Sequence, residues 1–363
     1  MTKKSDIQTH SNMGAAWMYF VVHFLLEVVC FYLLSSLNGN LMFLGLAAII
    51  YDAMAFVPQG IIGAMHDANP KFKPGPIGYM LLISGFLMYF LGVAANADNN
   101  RPLFWLALIL LCLGNCGLHI SGAELTLRVS NGKMSHSAIF VGGGSFGLVT
   151  GKLLAQYGIS FWWVALASVL ILPLVLLAEN YKKTSSKDSI NCKNFNYARK
   201  DVSVAFIIAA AFIIVAVRAY MGYGIPTAWR KTVIQTILLY VFMGTGKCLG
   251  GVLIDKLGIY KTAIISIAGS VPFLLFGNNI MEISLIGIMF FSMTMAITLA
   301  VLVSVIKECP GGAFGITTIG LFLGTFPTFV FRVDGFAVNC VIILIASVIC
   351  LILALKILPK EGK

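Results

Sequence analysis

The sequence is short of charge. Asp, Glu, Lys and Arg make up only 11% of it, and just 14 residues are acidic. Soluble domains carry about 25% charged residues, so an ordinary globular enzyme and a charge-rich disordered chain are both excluded. Paired cysteines are also missing. The eight cysteines contain no C-x-x-C spacing, so neither a zinc site nor a disulfide framework is indicated. They read as small packing residues. No nucleotide-binding G-x-x-x-x-G-K-[ST] run occurs: Gly246-Lys247 is followed by Cys248. No H-E-x-x-H zinc motif occurs either. Tyr51-Asp52 matches half of an intramembrane aspartyl protease, but the partner Gly-x-Gly-Asp is missing. No enzyme, cofactor or metal centre is therefore expected.

What is present is apolar sequence. Of 363 residues 59% are hydrophobic, and the mean hydropathy is +0.93. A helix needs about 20 apolar residues to cross the hydrocarbon core. Twelve runs qualify: 15–37, 41–64, 76–96, 102–125, 136–156, 159–179, 202–224, 232–253, 260–279, 282–305, 311–331 and 335–358. The expected fold is all-α, with twelve transmembrane helices and no soluble domain. The first run spans about 23 residues, longer than the roughly 7–15 of a signal-peptide core, and reads as a retained first span. The longest interval, 180–200, is basic. It divides the chain into a bundle over 1–179 and a second over 201–363, six helices each.

The net charge of +11 would suggest nucleic acid on a soluble protein. Here it reports orientation instead. With the N-terminus cytoplasmic, eighteen Lys and Arg fall in cytoplasmic segments and four, Arg101, Arg230, Lys231 and Arg332, fall outside. That bias places both termini in the cytoplasm, in a plasma membrane. Small residues recur every four positions: Gly143, Gly147 and Gly151; Gly246 and Gly250; Gly311 and Gly315; Gly320 and Gly324. They imply either close helix packing or contacts between halves that form and break during gating.

Six plus six helices around a basic loop resemble the major facilitator superfamily. Its Gly, Asp, basic signature is kept as Gly251-Val-Leu-Ile-Asp255-Lys256 after the eighth helix, and degraded as Gly63-Ala-Met-His-Asp67 after the second. Gly251 allows tight contact, and Asp255 can pair with a cation or cap a neighbouring helix. Closer motifs resemble the branch that includes fosmidomycin-resistance exporters: His23-Phe-Leu-Leu-Glu27, Gly114-Asn115-Cys-Gly-Leu-His119, and Arg218 followed by Pro226. The sequence departs from that pattern at Lys152, where Pro often stands, at Lys247 inside a Gly-rich run, and at Ser121.

Ionisable residues within spans cost roughly 2.5–3.5 kcal/mol on insertion scales unless paired or wet, so they are the best functional pointers. Glu27, His23 and Asp52 in the first half suit proton coupling. Lys247 and Arg218 in the second half have no acid at comparable depth. With Lys152, Asn115 and His119 they suggest a binding site for an anionic substrate. The alternatives are snorkelling for Lys152, a clamp on helix-end carbonyls for Arg218, static pairing for Glu27, and an interhelical hydrogen bond for His119. Glu124 reads as a solvated end residue paired with Arg128. The expected activity is proton-coupled secondary transport of a small anionic or amphipathic solute by a monomer. Its partners would be solute, protons and lipid, not nucleic acid. The alternative is a channel or a subunit of a membrane complex.

Overall fold

The computed structural model describes residues 13–37, 40–94, 101–184, 194–331 and 335–359. The N-terminal Lys3 and Lys4, the 185–193 part of the basic loop, Arg332 and the last four residues lie outside them.

The described residues form helices and no strand. In chain order they are α1 (Met13–Ser35), α2 (Leu41–Phe56), α3 (Pro58–Ala68), α4 (Pro74–Ala94), α5 (Arg101–Arg128), α6 (Ser135–Gln156), α7 (Phe161–Thr184), α8 (Val204–Tyr223), α9 (Val233–Leu257), α10 (Ile259–Ile267), α11 (Ser270–Phe276), α12 (Met281–Ser292), α13 (Thr294–Val305), α14 (Pro310–Val330) and α15 (Phe336–Ile357). They make twelve stretches long and apolar enough to cross a membrane. In lipid every backbone polar group must be satisfied internally, which is why each crossing is helical. The chain is a multi-pass membrane protein.

Local chemistry sets the helix ends. Asn40, Ser203 and Thr232 cap α2, α8 and α9, Thr232 in a reciprocal box with Gln235. Pro58 and Pro310 open α3 and α14, where a missing N–H costs nothing. Gly258 alone joins α9 to α10, at φ +84° and ψ 158°, a conformation that L side chains rarely adopt.

Three spans are broken, where the sequence pattern predicts continuous helices. Span two breaks between α2 and α3, span nine between α10 and α11, and span ten between α12 and α13. Side chains patch the freed carbonyls. At Pro58 the Gln59 amide donates to Ala55 O at 2.8 Å, and the Thr318 hydroxyl on α14 donates to Phe56 O at 3.1 Å. At the second patched break, Phe291 O at the end of α12 accepts from Thr294 at 2.8 Å and from Arg218 on α8 at 2.5 Å.

The lipid-facing surface is apolar, with Leu41, Trp162, Phe276 and Val341 exposed. The interior holds the small and polar residues. Within the first half α1 packs on α6 and α4 on α5. Between halves α6 packs on α9, and α14 packs on α2, α3 and α5. Twelve crossings put the start of α1 and the end of α15 on one side, here the terminal face.

The glycine stripes divide by partner. Gly143, Gly147 and Gly151 face the α1 backbone at Phe20, Phe24 and Val28, and Gly246 and Gly250 face Met289 and Met293. These stripes hold single halves together. Contacts between halves use other glycines: Gly142 against Cys248, Gly251 against Met134, Gly311 against Gly63, and Gly315 against Gly60.

Candidate functional site

Two sites stand out. One closes the terminal face. The other lies in mid-span within the first half.

At the terminal face each half caps a helix of the other. Asp255, near the end of α9, accepts from the backbone N–H groups of Met134 and Ser135 at 2.8 and 3.0 Å. Those groups open α6, which has no side-chain cap of its own at Met134. Asp67, near the end of α3, accepts from the Gly312 N–H at 2.9 Å, in the first turn of α14. That helix also lacks a side-chain cap at its N-cap Cys309. A carboxylate at a helix N-terminus gains from both the hydrogen bond and the dipole.

Each Asp stands four residues after a glycine that lets the helices meet. A Cβ at Gly63 would collide with the Gly311 backbone, and one at Gly251 with Ala138 and the Met134 backbone. The first signature copy, degraded in sequence, thus has the geometry of the well-kept one. Of the two roles open to Asp255, capping is the one the geometry displays. Asp67 has both kinds of partner, because Arg128 Nη2 also lies 3.2 Å from it. Lys256 is exposed and makes no hydrogen bond or ion pair with any described residue.

Glu124 corrects an expectation. It is paired with Arg128 at 2.6 Å as its spacing predicts, but it is buried rather than solvated, and His66 Nε2 lies 3.1 Å away. His66 sits beyond the predicted end of span two, so the pattern gave no reason to bring it here.

Beside the gate, Tyr197 donates its hydroxyl to Gly132 O at 2.8 Å, and its N–H to Ser304 Oγ at 2.8 Å. Burial and the nearby Asp255 raise the phenol above its ordinary range, so it stays a neutral donor at neutral pH.

The second site gathers around Glu27 on α1. Its carboxylate accepts from Asn115 Nδ2 at 3.0 Å and from the Tyr51 hydroxyl at 3.4 Å. Asn115 Nδ2 also reaches the Tyr51 oxygen at 3.0 Å and Cys30 Sγ at 3.5 Å. His23 Nε2 and His119 Nε2 each lie 3.8 Å from Glu27 Oε1. All six side chains are buried. Their spacing explains the convergence. His23 and Glu27 share a face of α1, Asn115 and His119 share a face of α5, and Tyr51 enters from α2. Tyr51 is the member that the sequence weighs only with Asp52, as half of a protease motif, and not as part of this site. Its only signal was a polar hydroxyl inside an apolar run, one residue from Asp52.

Lys247, on α9 of the other half, is within electrostatic reach of Glu27, His23 and His119. It makes no hydrogen bond or ion pair with any described residue. It lines a void of about 10 Å³ with Val141, Phe314 and Thr317, where the halves meet. Asp52 is half-buried and within electrostatic reach of Lys152. Lys152 lies between Phe31 of its own half and Tyr240 of the other, its Nζ 5.5 and 5.7 Å from the ring centres and 3.5 Å from the Tyr240 hydroxyl.

Arg218 stands apart from this group. It is buried, its guanidinium stacks 3.8 Å from the Phe291 ring centre, and it donates to the Phe291 carbonyl. Among the described residues no hydrogen bond or ring contact joins it to the Glu27 cluster. Of the two roles open to it from sequence, the clamp on a helix-end carbonyl is the one the geometry displays.

No family model matches the chain, and neither does any curated protein sequence. Solved structures do match in fold. The E. coli fucose:proton symporter aligns over 94% of this chain and 97% of its own, with a TM-score of 0.64 and 14% identity. The human organic anion transporter MFSD10 aligns over 93% and 99%, with a TM-score of 0.63 and 12% identity. A bacterial homologue of the iron transporter ferroportin, in an outward-facing state, aligns over 94% and 98%, with a TM-score of 0.57 and 12% identity. The architecture is therefore that of the major facilitator fold.

Proposed function

We propose that the chain is a secondary active transporter, working by alternating access and coupled to protons through Glu27. The solute is small and anionic or amphipathic, held between the bundles 1–179 and 201–363, which rock about a central site while joined by the linker 180–200. One observation carries this reading. The buried Glu27 carboxylate of one half lies within electrostatic reach of Lys247 from the other half, across the surface where the two must part.

Charge balance gives the mechanism. With the halves together, Lys247 offsets Glu27. An anionic solute entering the gap competes for Lys247, and Glu27 is left to take a proton; His23 beside it can share that proton. Lys152 and Asp52 form a second charged pair closer to the opposite face, where Lys152 can meet the solute first. Asn115 and His119 fix the geometry of Glu27. Arg218, apart from the cluster, acts as a clamp on the Phe291 carbonyl rather than as a ligand of the solute. Asp67 and Asp255 latch the terminal face. With both termini cytoplasmic in a plasma membrane, as the loop charges favour, the latched state faces outward.

The fold shared with the fucose:proton symporter and with MFSD10, named as an organic anion transporter, is consistent with this class. Motifs on α1 and α5 resemble those of the fosmidomycin-resistance branch, and they supply the core of the cluster. We assign the protein monomeric function, no enzymatic step and no ATP use.

The test is substrate-dependent proton flux in proteoliposomes loaded with a pH-sensitive dye, over a panel of carboxylates, phosphonates and cationic drugs. Anion-dependent flux lost in Glu27→Gln and Lys247→Ala supports the reading. Flux with cations alone overturns the anion site, and flux that survives Glu27→Gln overturns the coupling role.

A further inference from the structure

The geometry around Glu27 has a property that neither proton coupling nor anion binding requires. His23, Glu27 and His119 each present a metal-ligating atom, and these atoms all lie within 4.8 Å of one another in a buried setting. We propose that the three side chains bind a divalent late first-row cation of the Zn²⁺ or Co²⁺ class. The site lies wholly within the first six spans.

The orientation of the histidines carries the argument. His23 Nδ1 lies 2.9 Å from Phe140 O, and His119 Nδ1 lies 3.0 Å from Asn115 O. A carbonyl can only accept, so both Nδ1 atoms carry the proton. With both rings neutral each Nε2 is a lone pair, and both Nε2 atoms lie 3.8 Å from the same carboxylate oxygen, Glu27 Oε1. Two lone pairs aimed at an anionic oxygen call for a positive charge among them; a proton bridges only two of the three atoms, whereas a metal ion can hold all three. The arrangement is the one metal-ligating histidines adopt, with the far ring nitrogen donating to a carbonyl. A tetrahedral ion about 2.0–2.1 Å from each ligand needs ligand separations of about 3.3 Å. The two histidine–carboxylate separations of 3.8 Å, and every other separation within the 4.8 Å that the group spans, must contract to that value as the ion binds.

A second observation is independent. Asn115 is almost fully buried, donates to Glu27, and has an Oδ1 without a hydrogen-bond partner. Buried acceptors are almost always satisfied. A water drawn in with the cation would supply what Oδ1 lacks. Two imidazoles and a carboxylate leave at least one coordination position open, as in sites that exchange a ligand.

Lys247 sets the condition. Its ammonium is within electrostatic reach of all three ligands and comes from the opposite half. It repels a dication while the halves are closed and withdraws as they part. Metal affinity is therefore tied to the conformational state.

The inference shares Glu27 with the transport reading but stands on ligand geometry alone, so either can fail without the other. The experiment uses tag-free, full-length protein in detergent, titrated with Co²⁺ and followed by visible absorption and calorimetry. One equivalent is expected, with d–d bands and no thiolate charge-transfer band. Binding should be lost in Glu27→Gln and in His119→Gln. Asn115→Ala should weaken it by about 10–100-fold, and Lys247→Gln should tighten it by roughly tenfold. X-ray absorption of the wild-type chain with one Zn²⁺ needs no variant to fold, and should give two imidazoles and no sulfur. Absence of stoichiometric binding, a sulfur shell, or binding that survives Glu27→Gln overturns the site. Unchanged affinity in Lys247→Gln overturns its link to the opposite half.

Discussion

The terminal-face gate and the mid-span cluster are built on opposite plans. At the gate the two halves repeat one another. Gly63 and Asp67 dock on the start of α14, and Gly251 and Asp255 dock on the start of α6, with the same four-residue spacing. In mid-span the halves differ. The first carries a carboxylate, two imidazoles, an amide and a phenol in mutual contact, while the second offers Lys247, an ammonium without a hydrogen bond or ion pair among the described residues. The repeated part is mechanical, because docking a helix end needs no knowledge of a solute. The unrepeated part is where chemistry can be specific, since one carboxylate and one cation on opposite sides of a parting surface define a direction.

The sharpest test of that division is Glu27→Gln. It should cut substrate-dependent proton flux on the order of 100-fold, equivalent to about 2.7 kcal/mol, while leaving the gate closed as the wild type does. Equal losses in Glu27→Gln and Asp255→Asn would break the comparison. Next in size is the steric wedge. Gly63→Leu or Gly251→Leu places side-chain atoms where backbone now sits, at a cost of about 1–3 kcal/mol. Spin labels at Lys133 and Lys256, both exposed on opposite halves, should report a longer distance across the terminal face.

The two latches should then separate. Asp67→Asn weakens one hydrogen bond across the halves and an ion pair with Arg128 inside its own half, whereas Asp255→Asn weakens two hydrogen bonds across the halves. Hydrogen bonds to charged groups contribute about 1.5–3 kcal/mol, so the same labels should show a larger open fraction for Asp255→Asn.

Arg218→Lys sharpens the comparison from the other side. It loses the stack on Phe291 and should lower Tm by about 2–6 °C, with the preference among solutes unchanged. A changed preference would return Arg218 to the substrate site. The smallest effect belongs to Tyr197→Phe, which removes one hydrogen bond beside the gate, about 0.5–1.5 kcal/mol, and should move the label distances only slightly.

Much of this was legible in the sequence, for a physical reason. Apolar runs are obligatory for spanning helices, so all twelve are visible. The same signal fails at their ends. Span two was read to 64, span four to 125 and span eight to 253, but the helices run on to Ala68, Arg128 and Leu257. Hydropathy drops at the first charge, whereas the helix continues because His66, Asp67, Arg128 and Asp255 find partners there. The gate sits in those turns, where the signature motif rather than hydropathy marks it.

The cluster was half legible. Spacing put His23 with Glu27 and Asn115 with His119, but nothing local says that α1 and α5 face each other at that depth, or that Tyr51 joins them. Arg218 and Lys247 look alike in sequence, as two unpaired cations. Only packing shows that one is held by a broken helix's carbonyl and the other is not held. The same limit applies to the glycines, whose spacing identifies a contact face but not the helix it contacts.

The break at Pro58 has one more consequence. The Phe56 carbonyl has lost its backbone partner within the helix and is bonded instead to Thr318, on the far side of the parting surface. Whenever the halves separate at that level, this oxygen loses its donor, and an uncompensated carbonyl in an apolar gap is costly. Water has to arrive as Thr318 leaves. Opening is then a wetting transition as well as a rotation of two bundles, and its rate depends on how readily the crevice fills. Thr318→Val, which leaves the oxygen with nothing to give up, should make the crevice hydrate sooner.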